Sequence, residues 1–459
     1  MKRSNHFKLL LSQSCVTGLR NITKDVVAHP LYTVPFGIAS KMLRLLLLSV
    51  LVGVTVAGRS PNADHIERNY GASEYPFDVL EDAKLDVPGL VTKYGYPIES
   101  HEVITSDGYI LTMHRIPHGR DANNAPGVRP VVFLMHGLLS SSADFLVLGP
   151  GSALGYYLAE EGYDVWLGNA RGNFYSRRHN RLNPNSRINQ NFWKFSWDEI
   201  GNHDLPAFID YILATTGQSQ LHYIGHSQGG TAFLVLNSLR PEYNRKFVSF
   251  QGLAPASFFT NNDQPTINSL APHENVLEPA AFALGMGEVF GTRDFVTWLT
   301  NNHCGEGSIL QTFCNSMVIS GRSDHYNETM QPIFSGHAPA GASIRQFAHY
   351  GQTIKFDAFR RFNHNRVTNF ALYRSWSPPH YDLSRVTVPS YIHFSAADTL
   401  VVPKDAQILC SKLANTVGCS LVESPSFDHY DYIWGNGVKA LLYEKVLRQM
   451  REAEQMHYL

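Results

Sequence analysis

The sequence predicts an α/β fold in which a mostly parallel sheet is flanked by helices and interrupted by a helical insertion. Three observations support this prediction. Short apolar segments alternate with amphipathic helical segments, a hairpin pattern precedes them, and the alternation stops between about residues 256 and 380. With 459 residues, of which 44% are hydrophobic, the chain can bury a large core. Its 38 basic and 39 acidic residues nearly balance, so charge gives no reason to expect nucleic acid as a partner.

The strands are expected from residue 99 onwards. Residues 99–105 and 109–116 alternate in polarity around Asp107-Gly108, a pair that predicts a type I′ hairpin turn. Parallel strands are predicted at 131–135, 163–167, 221–224, 247–250, 390–394 and 420–422, with helices at 152–161 and 203–215. The core is therefore expected in two parts, 59–255 and 381–459. Residues 256–380 between them would form a mainly helical cap over the carboxyl edge of the sheet.

The N-terminal part of the chain carries a targeting pattern. Basic residues around Met42 precede an apolar segment, residues 45–57, that ends in small residues. Residues 42–58 thus resemble a signal peptide, and residues 1–41 are expected to be a non-native or unstructured extension. A membrane signal-anchor is the alternative, but 13 apolar residues are short for a bilayer of about 30 Å. We therefore expect an exported chain, secreted or lysosomal, with no stable transmembrane anchor.

Export makes the cysteines informative. Apart from Cys15 in the extension, the chain has two closely spaced pairs, Cys304 with Cys314 and Cys410 with Cys419. Four cysteines allow three pairings, and the sequence cannot select one. Because the chain has no CxxC motif and no tight Cys/His cluster, we expect no metal site. Asn327 begins an Asn-Glu-Thr glycosylation sequon within the predicted cap.

The chemistry is predicted by a G-x-S-x-G motif centred on Ser227. It follows the predicted strand at 221–224 and precedes a helical segment. At such a sharp strand-to-helix turn the serine is held out as a nucleophile, and glycines avoid contacts that a Cβ would make. The alternative is an ordinary glycine-rich turn, since the chain has 35 glycines. The strand before and the helix after favour the nucleophile.

An oxyanion hole needs two backbone N–H groups near the nucleophile. The first is expected from Gln228, directly after Ser227. The second is expected from Leu138, because His136-Gly137-Leu138-Leu139 follows the predicted strand at 131–135. Without Ser227 downstream, His136-Gly137 would read only as a strand-ending turn.

The remaining catalytic candidates follow the chain order Ser, acid, His of the α/β-hydrolase fold. Asp398 comes after the strand at 390–394, and His429 comes after the strand at 420–422. Three other acids lie nearby and compete with Asp398. Asp405 falls within a predicted helix, whereas Asp428 and Asp431 flank His429 on its own loop.

Eight ordered stretches resemble the acid lipase family, which includes gastric and lysosomal lipases and their insect relatives. They are residues 94–97, 105–111, 136–139, 164–173, 195–201, 225–229, 337–343 and 429–435. The resemblance implies the α/β-hydrolase fold, and it implies Ser227, Asp398 and His429 as nucleophile, acid and base. It also implies oxyanion donors at Leu138 and Gln228 and a cap disulfide between Cys304 and Cys314. The chain departs from the family in lacking glycines before Asp398 and in carrying the Cys410/Cys419 pair.

A serine lipase acting through an acyl-enzyme, without metal or organic cofactor, is therefore expected. Its substrate would be a lipid ester, triacylglycerol or steryl ester, taken at a lipid–water interface. A carboxylesterase for smaller or signalling esters is one alternative. A lipid-binding protein on the same scaffold is another, but loss of a triad residue would be its mark. Residues 164–173 and 195–201 suggest no catalytic role, so we interpret them as structural.

Overall fold

The computed structural model describes residue 66 and residues 77–268, 271–291 and 323–457. All of them belong to one unit, Val56–Leu459. The expected N-terminal extension, the signal-like segment, Cys304 and Cys314 lie outside the described residues. The predictions for those segments therefore stay predictions.

A sheet of nine strands forms the centre of the described chain, and a two-stranded sheet lies in the insertion. The strand order in the large sheet is β1-β2-β4-β3-β6-β7-β10-β11, with β5 paired to β2. The strands, including β8 and β9 of the small sheet, are β1 Glu99–Ile104, β2 Tyr109–Ile116, β3 Val131–Met135, β4 Asp164–Gly168, β5 Arg178–His179, β6 Leu221–His226, β7 Phe247–Leu253, β8 Glu288–Val289, β9 Ala342–Ser343, β10 Ser390–Phe394 and β11 Thr416–Leu421.

The predicted mixture of a parallel sheet and a leading hairpin is confirmed. Strands β4, β3, β6, β7, β10 and β11 are parallel, whereas β1 and β2 pair antiparallel with each other and β2 pairs antiparallel with β4. The predicted turn type is wrong, because type I′ needs two residues with positive φ and only Gly108, at 101°, has one. The turn closes instead through Gly108 N–H donating to the Thr105 carbonyl at 2.9 Å.

Helices cover both faces of the sheet, as in other doubly wound α/β folds. For example, α6 packs on β6, α14 on β7 and α12 on both β10 and β11. The helices are α1 Phe77–Asp82, α2 Val87–Lys93, α3 Leu154–Glu160, α4 Trp197–Glu199, α5 Leu205–Thr216, α6 Gln228–Leu239, α7 Pro265–Asn268, α8 Leu277–Ala283, α9 Gln331–His337, α10 Ile344–Phe356, α11 Arg366–Tyr373, α12 Pro403–Lys412, α13 Asp431–Trp434 and α14 Glu444–His457.

Burial explains which strands the sequence located well. Every residue of β3, β4, β6 and β10 is buried, which matches their continuous apolar segments. In contrast, β11 was expected at 420–422 and is Thr416–Leu421. It lies at the sheet edge with alternating half-buried and exposed residues, so no apolar run marks its start.

The described part of the insertion is mainly helical, as predicted. It contains α7 to α11 and the antiparallel pair β8/β9. Its boundaries at 256 and 380 stay a prediction. Among the described residues, no helix has both the length and the apolarity that crossing a membrane requires.

Candidate active site

Ser227 lies at the turn between β6 and α6 with φ 50° and ψ −116°, a conformation that is strained for a residue with a side chain. The turn is held by the Ser227 N–H, which donates to the Leu253 carbonyl at 2.9 Å. A Cβ at Gly229 would lie 2.1 Å from the Met135 carbonyl oxygen, and one at Gly225 would lie 2.6 Å from the Gly230 nitrogen. Glycine is therefore required on both sides of Ser227 because the backbones approach so closely.

His429 and Asp398 meet at the carboxyl ends of the neighbouring strands. His429 Nδ1 lies 2.8 Å from Asp398 Oδ2, and both side chains are almost fully buried. The other carboxylate oxygen, Oδ1, accepts from the N–H groups of Leu400 at 2.9 Å and Val401 at 2.8 Å. With a carboxylate as its partner, Nδ1 carries the proton, which leaves Nε2 of His429 free to accept one.

The competing acids have other partners. Asp405 lies in α12, as expected, and accepts from the backbone and side-chain nitrogens of Asn261 at 3.0 and 2.8 Å. Asp428 and Asp431 shape the loop around His429. Asp428 accepts from the Tyr430 N–H at 2.8 Å, and Asp431 accepts from the Asp428 N–H at 2.7 Å. Of the four acids, the structure brings Asp398 to the imidazole.

His226 supports the histidine loop, a contact that the sequence analysis missed. Its Nε2 lies 2.9 Å from the His429 carbonyl oxygen, which can only accept, so Nε2 carries the proton and donates. Complete burial lowers the pKa of His226 well below its usual value, and the ring stays neutral. The residue before Ser227 therefore also positions the His429 backbone.

The turn at Gly137-Leu138 lies against Ser227, as the oxyanion prediction requires. A Cβ at Gly137 would lie 3.3 Å from the Ser227 Cβ, and Leu138 lines the same cavity as Ser227 and His429. Gln228 is the first residue of α6, so its N–H has no acceptor within the helix. The structure thus brings both predicted donor residues beside Ser227.

His136 ties this turn to the loop after β4. Its Nε2 accepts from the Ala170 N–H at 3.1 Å and from Asn173 Nδ2 at 3.2 Å, so Nδ1 donates to the Gly137 carbonyl at 2.7 Å. Burial lowers the pKa of His136 to about 4, which keeps the ring neutral and this pattern intact in mild acid.

The rest of the 164–173 stretch anchors that loop to the core. Arg171 is fully buried, and it lies 2.7 Å from an Asp204 carboxylate oxygen and 2.6 Å from one of Asp107. Its guanidinium also stacks over the Tyr109 ring, 4.0 Å from the centroid. Because a paired buried charge fixes both chain segments, these contacts agree with the structural interpretation of this stretch.

Cap residues complete a cavity in front of Ser227. Its empty volume is about 1160 Å³, part of it open to solvent. Much of its wall is apolar, with cap residues Ala256, Phe259, Pro339 and Phe347 on one side and core residues Leu400 and Val401 in addition. A direct contact joins cap and turn, since Gln228 Nε2 donates to Gln346 Oε1 of α10 at 2.6 Å. Nothing in the spacing of these residues signals that bond.

Two features lie away from the cavity. Cys410 of α12 and Cys419 of β11 form a disulfide, which is the second of the two cysteine pairs noted in the sequence. Asn327 is exposed, and its side chain accepts from the Thr329 N–H at 3.1 Å. An exposed sequon is accessible to glycosylation.

Comparison with known proteins agrees with this arrangement. A family model described as a partial α/β-hydrolase lipase region matches residues 87–149, and one for the α/β-hydrolase fold matches residues 130–435. The chain is 42% identical to Lipase 1 of Drosophila melanogaster, with 81% of each chain covered. It is 35% identical to the gastric triacylglycerol lipase of Bos taurus, covering 81% of this chain and 92% of the relative.

A third relative is the lysosomal acid lipase/cholesteryl ester hydrolase of Homo sapiens, 33% identical over 81% of this chain and 92% of the relative. These identities extend over the elbow, the histidine loop and most of the insertion. The chain therefore belongs to the acid lipase family of α/β-hydrolase ester hydrolases.

Proposed function

We propose that this chain is a serine lipase that hydrolyses carboxylic esters of lipids, triacylglycerols or steryl esters. The observation that carries the proposal is the placement of Ser227, on a strained elbow, in one apolar cavity with a histidine whose Nδ1 is bonded to buried Asp398. The names of the gastric and lysosomal relatives support the substrate class.

In the proposed mechanism, Ser227 Oγ attacks the ester carbonyl while His429 Nε2 takes its proton. Asp398 holds the imidazole tautomer and stabilises the imidazolium. The N–H groups of Leu138 and Gln228 stabilise the oxyanion. His429 then protonates the leaving alcohol, and water hydrolyses the acyl-enzyme by the same route in reverse.

The apolar cavity explains why a lipid is preferred to a small soluble ester. Desolvation contributes about 25 cal/mol for each Å² of apolar surface that a ligand buries, so a long acyl chain gains affinity with each methylene. The insertion would cover that chain and open at a lipid–water interface. We further propose that the chain is exported to the extracellular space or the lysosome, with Cys304–Cys314 as a second disulfide and a glycan on Asn327. The disulfide Cys410–Cys419 supports an oxidising compartment.

The test combines a covalent serine probe with an ester panel. A fluorophosphonate should label the wild type but not Ser227→Ala, and this variant should lose roughly 10⁴-fold or more in kcat. The exposed Ser152→Ala variant is the matched control and should be labelled like the wild type. Undiminished turnover by Ser227→Ala would contradict the serine mechanism.

Acyl length separates the lipase from a small-ester esterase. With 4-, 8-, 12- and 16-carbon acyl esters of one alcohol, we expect kcat/KM to rise with chain length. A maximum at four carbons would favour the esterase instead.

A further inference from the structure

One part of the cavity wall is polar. The loop after the Gly137-Leu138 turn continues into a short helix, Ser142–Phe145, which packs against α13. These two segments bring Ser140, Asp144 and Trp434 together at the wall, and all three line the cavity that holds Ser227. We call them the polar cluster.

The polar cluster has hydrogen-bonding groups without partners. Asp144 Oδ2, Ser140 Oγ and Trp434 Nε1 are buried, and no hydrogen bond to another described residue satisfies any of them. The Asp144 side chain is 2% exposed. A buried polar atom without a partner costs about 1–3 kcal/mol, so three in one place mark a site for a ligand group.

The charge state of Asp144 restricts what that group can be. No lysine or arginine is among the described residues that line the cavity. Burial raises the pKa of Asp144 to about 7, and the adjacent Ser140 and Trp434 side chains oppose the rise only in part. In mild acid the carboxyl is therefore neutral, with one O–H donor and one carbonyl acceptor.

From this placement we propose that the polar cluster is a subsite that binds a free hydroxyl group on the alcohol part of the ester. A hydroxyl both donates and accepts, and so do Asp144 and Ser140, while the Trp434 indole adds a donor. A metal ion would need ionised ligands, and an anion would need a cation nearby. Acyl chains are apolar, whereas hydroxyls occur in the alcohol part of partial glycerides. The inference rests on the proposed lipase function and names its favoured substrates as esters of polyols.

The test compares esters that differ only at that hydroxyl. The probes are the decanoates of 1,2-propanediol (acylated at the primary oxygen), 1-propanol and 2-methoxy-1-propanol, assayed below micelle formation at pH 5.5. We expect kcat/KM for the hydroxylated ester to exceed that of the propyl ester by about tenfold. The methoxy ester, which only accepts, should fall between them. Equal values for all three would overturn the proposal.

Variants assign the preference to particular atoms. Asp144→Leu should bring the ratio of hydroxylated to propyl ester close to one, whereas Asp144→Asn, which keeps a donor and an acceptor, should retain most of it. Trp434→Phe should lower the ratio by about threefold. A ratio taken on one protein sample does not depend on the fraction that is folded.

The control variant is Phe347→Leu, which changes the apolar wall of the same cavity. It should alter both rates and leave their ratio unchanged. If it moved the ratio as much as Asp144→Leu does, the preference would reflect cavity shape and the subsite would be refuted. Failure of the wild type to hydrolyse any of the three esters would contradict the lipase proposal itself.

Discussion

Asp144→Asn should make the protein more stable at neutral pH and leave its stability in acid nearly unchanged. Burial raises the pKa of Asp144 from 3.8 to about 7, so the folded state keeps a proton that the unfolded chain loses between these values. The free energy of unfolding therefore falls as the pH rises through that window. Asparagine cannot ionise and avoids the loss.

The size of the effect follows from the shift. About three pKa units at 1.36 kcal/mol each give at most about 4 kcal/mol at pH 7 and above. Two tyrosines, Tyr430 and Tyr443, also face the carboxyl, but burial raises the pKa of both phenols and they stay neutral throughout. Asp144 is then the group near this wall that changes charge in the window.

Thermal unfolding between pH 4 and pH 8 measures the difference. For a chain of this size 1 kcal/mol shifts Tm by roughly 1–2 °C, so the variant should gain up to roughly 5 °C at pH 8 and almost nothing at pH 4. Asp263→Asn, the same change at an exposed carboxyl, should show no such pH dependence. A Tm difference that is constant across pH would refute the reasoning, because it would mean that Asp144 is ionised in the folded state or already neutral in both states.

Two further predictions concern the supports of the site. Asn173→Ala removes a donor to His136 Nε2 and loosens the Gly137-Leu138 turn, so kcat on a soluble ester should fall by about 10- to 100-fold with KM little changed; a rise in KM alone would place Asn173 in substrate binding instead. Replacing Cys410 and Cys419 together by serine should lower the free energy of unfolding by about 2–3 kcal/mol, because the disulfide closes a loop of only nine residues. Urea titration measures that loss, and peptide mapping without reduction would contradict the pairing if it found free thiols.

The sequence was sufficient for most of the fold. Strands such as β3 and β6 are buried along their whole length, and a fully buried strand needs a continuous apolar segment that any reader can find. The edge strand β11 and the hairpin turn at Asp107-Gly108 were less predictable. Their residues face solvent or a turn, where many residue types are tolerated and the pattern is weak.

The sequence alone also identified the candidates Ser227, Asp398 and His429, since their order along the chain and their positions after strands follow from the topology. What only the tertiary structure decided is which distant residues meet. Asp398 rather than Asp405 lies at His429, Asn173 and His136 brace one turn from two loops, and Asp144 meets Trp434 across 290 positions of sequence. The physical reason is that hydrogen bonds and burial depend on distances in three dimensions. Periodicity reports only whether a residue faces the core, and a buried polar group chooses its partner among whatever the packing brings within about 3 Å.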